Sequence, residues 1–210
     1  MARPALSGEQ LAATRAQLLD AAQELFEEGG LDAMSFRAIA QRAGCSHTKP
    51  YSYFDDKSDL VDHLRIRAYR WLEELLEEAA SLAADPLDAL DRLASAYVDA
   101  GLARPRMYEL LYTSDGSSPE TSPELLAAKL DSIGVCERVI REIDESGLAT
   151  FTADPTTSAH VFWAAAHGLV SLHHGGFLVV GRRLDQLMPT LFAGVTTGLT
   201  TTLPTGPKED

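Results

Sequence analysis

Apolar residues recur every three or four positions through most of the chain, the spacing that places them on one face of an α-helix. This pattern predicts one short helix from residue 105 and long helices over residues 9–28, 57–83, 86–103, 123–146, 156–174 and 184–201. No segment shows the strict alternation of apolar and polar residues that favours a half-buried strand. The sequence therefore predicts an all-α fold.

Residues 33–57, AMSFRAIAQRAGCSHTKPYSYFDDK, contain shorter helical signals separated by a turn. Ser35 is a favoured N-cap, and the apolar residues after it keep helical spacing up to Gly44, a residue type that readily ends a helix. Ser46 is a second N-cap, and two aromatic residues after it are the apolar anchors of a second short helix. The segment predicts a helix-turn-helix arrangement.

The first turn of this second helix is polar, and helix-turn-helix proteins use that turn to contact base edges in the major groove of DNA. His47, Thr48 and Lys49 are the candidate base contacts there, together with Arg37 from the preceding helix. Side chains that donate hydrogen bonds to phosphate surround them. These candidate phosphate contacts are Ser35, Ser46, Tyr51, Tyr53 and Lys57.

The run GCSHTKPYSYFDDKSDL at residues 44–60 resembles the helix-turn-helix pattern of the TetR family of transcriptional regulators. Its core YSYFDDK matches the family's Tyr-x-Tyr/His-Phe, two further residues and Lys, and FRAIA in the helix before it also matches. Cys45 stands where Val is usual, and Pro50 stands where Leu or Ile is common. Pro50 therefore predicts a shorter or tilted reading helix.

The C-terminal half contains AYVDAGLARPRMYELLYT at residues 96–113 and WAAAHGL at residues 163–169. These runs are similar to the TetR C-terminal ligand-binding variant named for its Trp-His-Gly signature. The resemblance implies a small-molecule effector site among the C-terminal helices and a four-helix dimer interface made by the last two helices of each subunit. Apolar walls with a few polar tips suit a largely apolar effector. The candidate effector contacts are Tyr97, Tyr112, Trp163 and His167, and ordinary core packing is the alternative for these aromatic side chains.

The resemblance implies a homodimeric DNA-binding regulator, a repressor that a small effector releases from a palindromic operator. Residues 1–57 are expected to form a three-helix helix-turn-helix domain, residues 58–203 a helical effector-binding and dimerisation domain, and residues 204–210 a disordered tail. The alternative is a helical ligand-binding or protein-interaction module that has lost DNA binding.

The net charge of −13 is unusual for a DNA-binding protein, but the charge is unevenly distributed. Residues 1–57 carry six Lys/Arg and eight Asp/Glu, whereas residues 58–210 carry twelve and twenty-three. Within residues 33–57, four basic residues outnumber two acidic ones. Positive charge is therefore concentrated in the predicted DNA-binding segment, and DNA affinity is expected to depend strongly on salt.

Catalytic and metal-binding motifs are not found in the sequence. It contains no phosphate-cradling glycine loop, paired metal motif or Gly-x-Ser-x-Gly turn, so neither enzymatic activity nor a cofactor is predicted. His160, His167 and His174 share one helix face but are seven residues apart. Successive members are separated by about 10 Å along a helix, which is too far to bind one metal ion.

The sequence also indicates where the protein resides. No charge-free run of about 20 apolar residues predicts a membrane segment. The two cysteines, Cys45 and Cys136, are far apart and suggest no disulfide framework, so a reducing cytoplasm is the expected location. Cys45 is expected to pack as an apolar residue, with a redox switch beside the reading helix as the alternative.

Overall fold

The computed structural model of the chain describes residues 7–112, 122–178 and 181–201. The helices are α1 (Gly8–Ala33), α2 (Phe36–Arg42), α3 (Lys57–Ser81), α4 (Pro86–Ala103), α5 (Pro105–Tyr112), α6 (Pro123–Ser146), α7 (Pro155–His174) and α8 (Leu184–Leu199). The remaining elements are a 3₁₀ helix (Pro50–Ser52) and the two-residue strands β1 (Thr150–Phe151) and β2 (Thr200–Thr201). The predicted all-α fold is confirmed. The predicted tail at residues 204–210 lies outside the described residues.

Helix α1 is longer than the sequence pattern predicts. Ser7 caps it, because the Ser7 hydroxyl accepts a hydrogen bond from the Gln10 backbone N–H at 3.3 Å. The helix was predicted to end near residue 28, and the span Gly8–Ala33 joins two helical segments across Gly30, whose backbone angles are not helical. Gly30 has a φ of 67°, which glycine adopts readily, so the first helical segment stops there and a short second segment continues to Ala33.

The second helix of the predicted helix-turn-helix does not form an α-helix. The first helix forms as expected, with the Ser35 hydroxyl accepting from Ala38 N at 3.1 Å and Gly44 at a φ of 65° after its end. Beyond Gly44, only the three-residue 3₁₀ helix is present before α3. Pro50 was expected to shorten this helix, and the effect is larger than expected because a proline has no N–H to donate.

Strands β1 and β2 were not predicted by the sequence pattern. They pair antiparallel, with Thr150 opposite Thr201 and Phe151 opposite Thr200. The Asp144 carboxylate accepts a hydrogen bond from Phe151 N at 2.8 Å, which also holds β1 to the end of α6. A two-residue strand is too short to show alternation, so the sequence carries no signal for this pair.

The chain forms two compact units, each built from separated stretches of sequence. The first comprises Met1–Ala68 and Arg106–Leu126, and the second comprises Tyr69–Pro105 and Ala127–Asp210. Buried side chains form the core of the first unit around Leu18, Ala22, Phe26, Met34, Ile39, Phe54, Leu60 and Leu64. Buried side chains of the second unit include Leu90, Leu93, Val98, Val139, Ile140, Ile143, Phe162 and Val170. No helix of the described residues is sufficiently long and apolar to span a bilayer.

Candidate nucleic-acid interface

The residues between α2 and the 3₁₀ helix form an exposed turn, here called the reading turn (residues 46–49). The side chains of Ser46, His47 and Thr48 are exposed, whereas Lys49 is half-buried. The hydroxyl oxygens of Ser46 and Thr48 lie 3.4 Å apart. The reading turn therefore presents an imidazole and two hydroxyl groups to solvent, and all three can donate or accept hydrogen bonds.

Main-chain hydrogen bonds fix the path into and out of the reading turn. Cys45 N donates to the Ala40 carbonyl at 2.9 Å, which closes the last turn of α2 beside the positive-φ Gly44. Lys49 N donates to the Ser46 carbonyl at 2.9 Å. The reading turn is thus defined by backbone contacts on both sides, a feature that suits a surface that must keep one shape.

Aromatic contacts attach the following residues to the core of the first unit. The Tyr51 ring packs edge-on against Phe36, with centroids 4.7 Å apart, yet Tyr51 is 67% exposed. The Phe36 ring also contacts the buried Phe54, at a centroid distance of 6.5 Å. Tyr51 is therefore held by its ring while most of its surface faces solvent.

The structure places all nine predicted DNA contacts in the first unit, and none of them is buried. Arg37 is exposed in the first turn of α2, and Tyr53 is half-buried after the 3₁₀ helix. Lys57 is exposed at the start of α3, but its Nζ atom donates to the Leu31 carbonyl at 2.6 Å. An ammonium group has three N–H donors, so this bond leaves donors for a phosphate.

The structure brings three of the four predicted effector contacts together in the second unit. Trp163 of α7 donates from Nε1 to the hydroxyl of the buried Tyr97 of α4 at 3.1 Å. The rings of Trp163 and His167 lie 6.3 Å apart, and burial lowers the pKa of His167. The fourth residue, Tyr112, belongs to the first unit, where its ring packs against Tyr108 at 5.3 Å.

Comparison with protein-family models identifies the chain. Residues 18–64 match the model described as bacterial regulatory proteins, tetR family. Residues 90–194, half of the chain, match the model of a tetracyclin repressor-like C-terminal domain. The chain belongs to the TetR family. The matching C-terminal model is a different TetR subfamily from the Trp-His-Gly variant, so that part of the sequence-based assignment is not confirmed.

Several individual proteins resemble the chain to different extents. The HTH-type transcriptional repressor KstR2 of Mycobacterium tuberculosis is 33% identical over 91 residues, which are 43% of this chain and 46% of that relative. A protein of unknown function from Rhodococcus sp. RHA1 has a TM-score of 0.79 at 27% identity, covering 95% of this chain and 100% of the other. FadR from Bacillus subtilis, in complex with stearoyl-CoA, has a TM-score of 0.70 at 18% identity, covering 88% of this chain and 98% of the other. The curated match is thus confined to about half of the relative, and the likeness to FadR is one of fold.

An ion-pair cluster that sequence reasoning did not find joins the first two helices of this TetR-family chain. Arg42 of α2 donates to Glu24 at 3.1 Å and to Glu28 at 2.8 Å, both on α1. The hydrogen bond to Arg42 lowers the pKa of Glu28, and the same contacts raise the pKa of Arg42. Arg42 therefore pairs with two carboxylates beside the TetR helix-turn-helix, and its charge is fully offset there. The partners are on different helices, so no local spacing reveals them.

A second unpredicted cluster lies behind Phe54 in the same TetR helix-turn-helix unit. The Arg15 guanidinium stands over the Phe54 ring at 5.5 Å and contacts the imidazole Nε2 of His63. Asp59 faces the same nitrogen at 3.3 Å. Burial, and then the charge of Arg15, lower the pKa of His63, which favours the neutral imidazole that can accept from Arg15. The Asp59–His63 spacing of four residues was visible in the sequence, but the link to Arg15 was not.

The last two helices of this TetR-family chain leave much apolar surface uncovered. Within α8, only Phe192 is buried among the described residues. On α7, Val161 is 39% exposed and Leu172 is 46% exposed. A Cβ atom added at Gly194 or Gly198 would meet no atom within 4 Å. The outer side of α7 and α8 therefore carries apolar and small residues without a covering element in the described part of the chain.

Proposed function

We propose that the protein is a homodimeric DNA-binding transcriptional regulator, a repressor that leaves a palindromic operator when a small, largely apolar effector binds. In this proposal, residues 1–57 bind DNA, and residues 58–203 hold the effector and dimer contacts. The observation that carries the proposal is the exposed, polar reading turn, fixed on a closed apolar core in a chain of the TetR family.

The reading turn supplies the base contacts in this proposal. His47, Thr48 and Lys49 enter the major groove with Arg37 beside them. The exposure of Arg37, His47 and Thr48 supports this role, because a side chain buried in the subunit could not reach a base edge, and Lys49 is half-buried. The phosphate contacts are Ser35, Ser46, Tyr51, Tyr53 and Lys57, whose hydroxyl and ammonium groups can all donate hydrogen bonds.

The distribution of ion pairs limits how much positive charge reaches DNA. Arg42 is paired with Glu24 and Glu28, so the other three basic residues of segment 33–57 supply the cations. These residues are Arg37, Lys49 and Lys57. Three cations per subunit give about six per dimer, and the logarithm of affinity is expected to fall with the logarithm of salt concentration at a slope of about −5.

The dimer in this proposal forms through α7 and α8 of both subunits. The exposed Val161 and Leu172, and the open space around Gly194 and Gly198, support close approach of a second helix pair. A two-fold symmetric dimer would present two reading turns to two half-sites about 34–36 Å apart, which matches a palindromic operator.

The effector site of this proposal includes Tyr97, Trp163 and His167, which lie together in the second unit. Aromatic walls and a few polar groups suit an apolar molecule with one polar end. The fold resemblance to FadR, which was solved with stearoyl-CoA, supports testing fatty acyl-CoA compounds first. An effector can lower DNA affinity only by binding more tightly to the form with a poorer fit to the operator.

Binding to the DNA upstream of the protein's own gene tests the proposal directly. Fluorescence anisotropy should show saturable binding of the wild type, and His47→Ala should lower affinity most for the preferred site. Arg141→Ala, which removes an exposed basic side chain of α6, is the control and should bind as the wild type does. A folded wild-type protein that binds no DNA would support the alternative, a ligand-binding or interaction module that has lost DNA binding.

A further inference from the structure

The main-chain hydrogen bonds of residues 46–53 span three residues, and α-helical spacing returns only where Phe54 N donates to the Pro50 carbonyl at 3.1 Å. The Ser46 carbonyl accepts from Lys49 N at 2.9 Å, and the Lys49 carbonyl accepts from Ser52 N at 3.0 Å. Both bonds span three residues, the pattern of a turn or a 3₁₀ helix, whereas an α-helix uses four. The segment expected to be a reading helix is thus a tight turn followed by a single 3₁₀ turn.

Pro50 accounts for this departure. Lys49 already has helical angles, with φ of −64° and ψ of −42°, so the backbone before Pro50 is turned as a helix requires. An α-helix beginning at Ser46 needs the N–H of residue 50 to donate to the Ser46 carbonyl. Proline has no N–H, and the Pro50 ring is buried, so this bond cannot form and the residue is held in place.

The difference in backbone changes which side chains of the reading turn are exposed. In an α-helix, successive residues advance by 1.5 Å and rotate by about 100°, so Lys49 would follow His47 and Thr48 around the same first turn. In the observed turn, His47 and Thr48 are exposed while Lys49 is half-buried. His47 and Thr48 are therefore more exposed than Lys49 in the reading turn.

We propose that Pro50 determines the sequence preference of DNA binding by keeping residues 46–49 a turn, so that His47 and Thr48 are the principal base contacts. This inference rests on the proposed function. It assigns to Pro50 a positioning role, since a buried proline ring does not itself touch DNA. Restoring an N–H at position 50 removes the obstacle to an α-helix and should therefore change which bases are preferred.

Two substitutions at position 50 distinguish the effect of the missing N–H from the effect of the buried proline ring. Pro50→Leu restores the N–H and a large apolar side chain, and Pro50→Ala restores the N–H alone. Each variant and the wild type select binding sites from a randomised DNA library, and affinities for single-base variants of the selected sites are then measured. We expect both variants to change the ratio of affinities for competing bases by about tenfold at one or more positions. In both variants, the new N–H at position 50 should also exchange slowly with solvent, because it would donate to the Ser46 carbonyl.

Pro86→Ala is the matched control, because Pro86 is the first residue of α4, where an N–H has no helical partner. It should leave base preference unchanged. An unchanged preference in both position-50 variants, or an equal loss of affinity on every sequence, would overturn the inference and leave Pro50 as a packing residue. A wild type without any preferred site would overturn the proposed function, and with it this inference.

Discussion

The Nζ atom of Lys57 donates a hydrogen bond to the main-chain carbonyl oxygen of Leu31 at 2.6 Å. The same oxygen accepts from Met34 N at 3.3 Å, so Lys57 ties the start of α3 to the end of α1.

Lys57→Ala should weaken binding equally on all DNA sequences and reduce the salt slope by about one for each subunit. Anisotropy titrations at several salt concentrations measure both.

The dependence of DNA affinity on salt concentration distinguishes a Lys57 side chain that contacts phosphate from one that only supports the fold. Arg141→Ala is the charge-matched control, because Arg141 is an exposed basic residue of α6 in the second unit. It removes the same charge and should leave the slope unchanged. A Lys57→Ala variant with lower affinity and an unchanged slope would show that Lys57 only supports the fold.

Glu24 and Glu28 hold the guanidinium of Arg42 beside the helix-turn-helix. Replacing both with glutamine removes two negative charges and releases Arg42, so affinity for any DNA should rise and the salt slope should become steeper by about one for each subunit. Comparison of specific and random duplexes measures this. An increase in affinity for the preferred site alone, without one for random DNA, would contradict the electrostatic explanation.

The pH dependence of stability should report on His63. Burial and Arg15 lower the pKa of His63 from 6.5, while Asp59, Asp62 and Glu124 act in the opposite direction. The unfolded chain binds this proton more readily than the folded chain, so the contribution of His63 to stability is complete above about pH 6.5 and is lost as pH falls toward its folded-state pKa. Thermal melts between pH 7.5 and 5.5 should show a falling midpoint.

His63→Gln should flatten part of that decline, because glutamine cannot be protonated but can still accept from Arg15. Burial also lowers the pKa of His167, so His167→Gln should remove a further part. Leu82→Gln, at a residue 65% exposed that does not titrate, is the control with an unchanged profile. If His63→Gln melts with the wild-type pH profile, His63 does not contribute.

Tyr97 and Trp163 give a fluorescent reporter of the proposed effector site. Tyr97→Phe removes the acceptor of the Trp163 N–H and should lower the free energy of unfolding by about 1 kcal/mol. In a Trp71→Phe background, Trp163 is the only tryptophan, since the chain has two. Its emission should shift in Tyr97→Phe and when an acyl-CoA binds. Tyr53→Phe, in the first unit, should leave the emission unchanged.

Leu172 tests the proposed dimer. Leu172→Arg places a charge on the exposed side of α7 and should convert the dimer to a folded monomer in light scattering after size exclusion. Leu82→Arg, at a residue 65% exposed just after α3, is the matched control and should remain dimeric. A wild type that is monomeric at micromolar concentration would contradict the proposal.

Local signals in the sequence predicted most helix ends. Ser35 accepts a backbone hydrogen bond as the N-cap of α2, and Gly44 has a φ of 65° after that helix. These features depend on a few neighbouring residues, so their physical cause is contained in a short stretch of sequence.

Contacts between distant residues were not predicted. The ties from Lys57 to Leu31 and from Arg42 to Glu28 join separate helices, and both use long side chains that the sequence pattern treats as solvated. The absence of an α-helix after Gly44 was predicted only in part. The sequence shows that Pro50 departs from the TetR pattern at this position. Its full effect depended on the buried position of the ring, which a local pattern does not reveal.

The pairing of β1 with β2 joins residues about fifty positions apart in the sequence. It connects the chain just before α7 to the chain just after α8. A protein shortened to end at Leu199 would lose Thr200 and Thr201, the cross-strand partners of Phe151 and Thr150. Fluorescent labels or purification tags are therefore better attached beyond residue 201, where they leave the pairing of β1 with β2 intact.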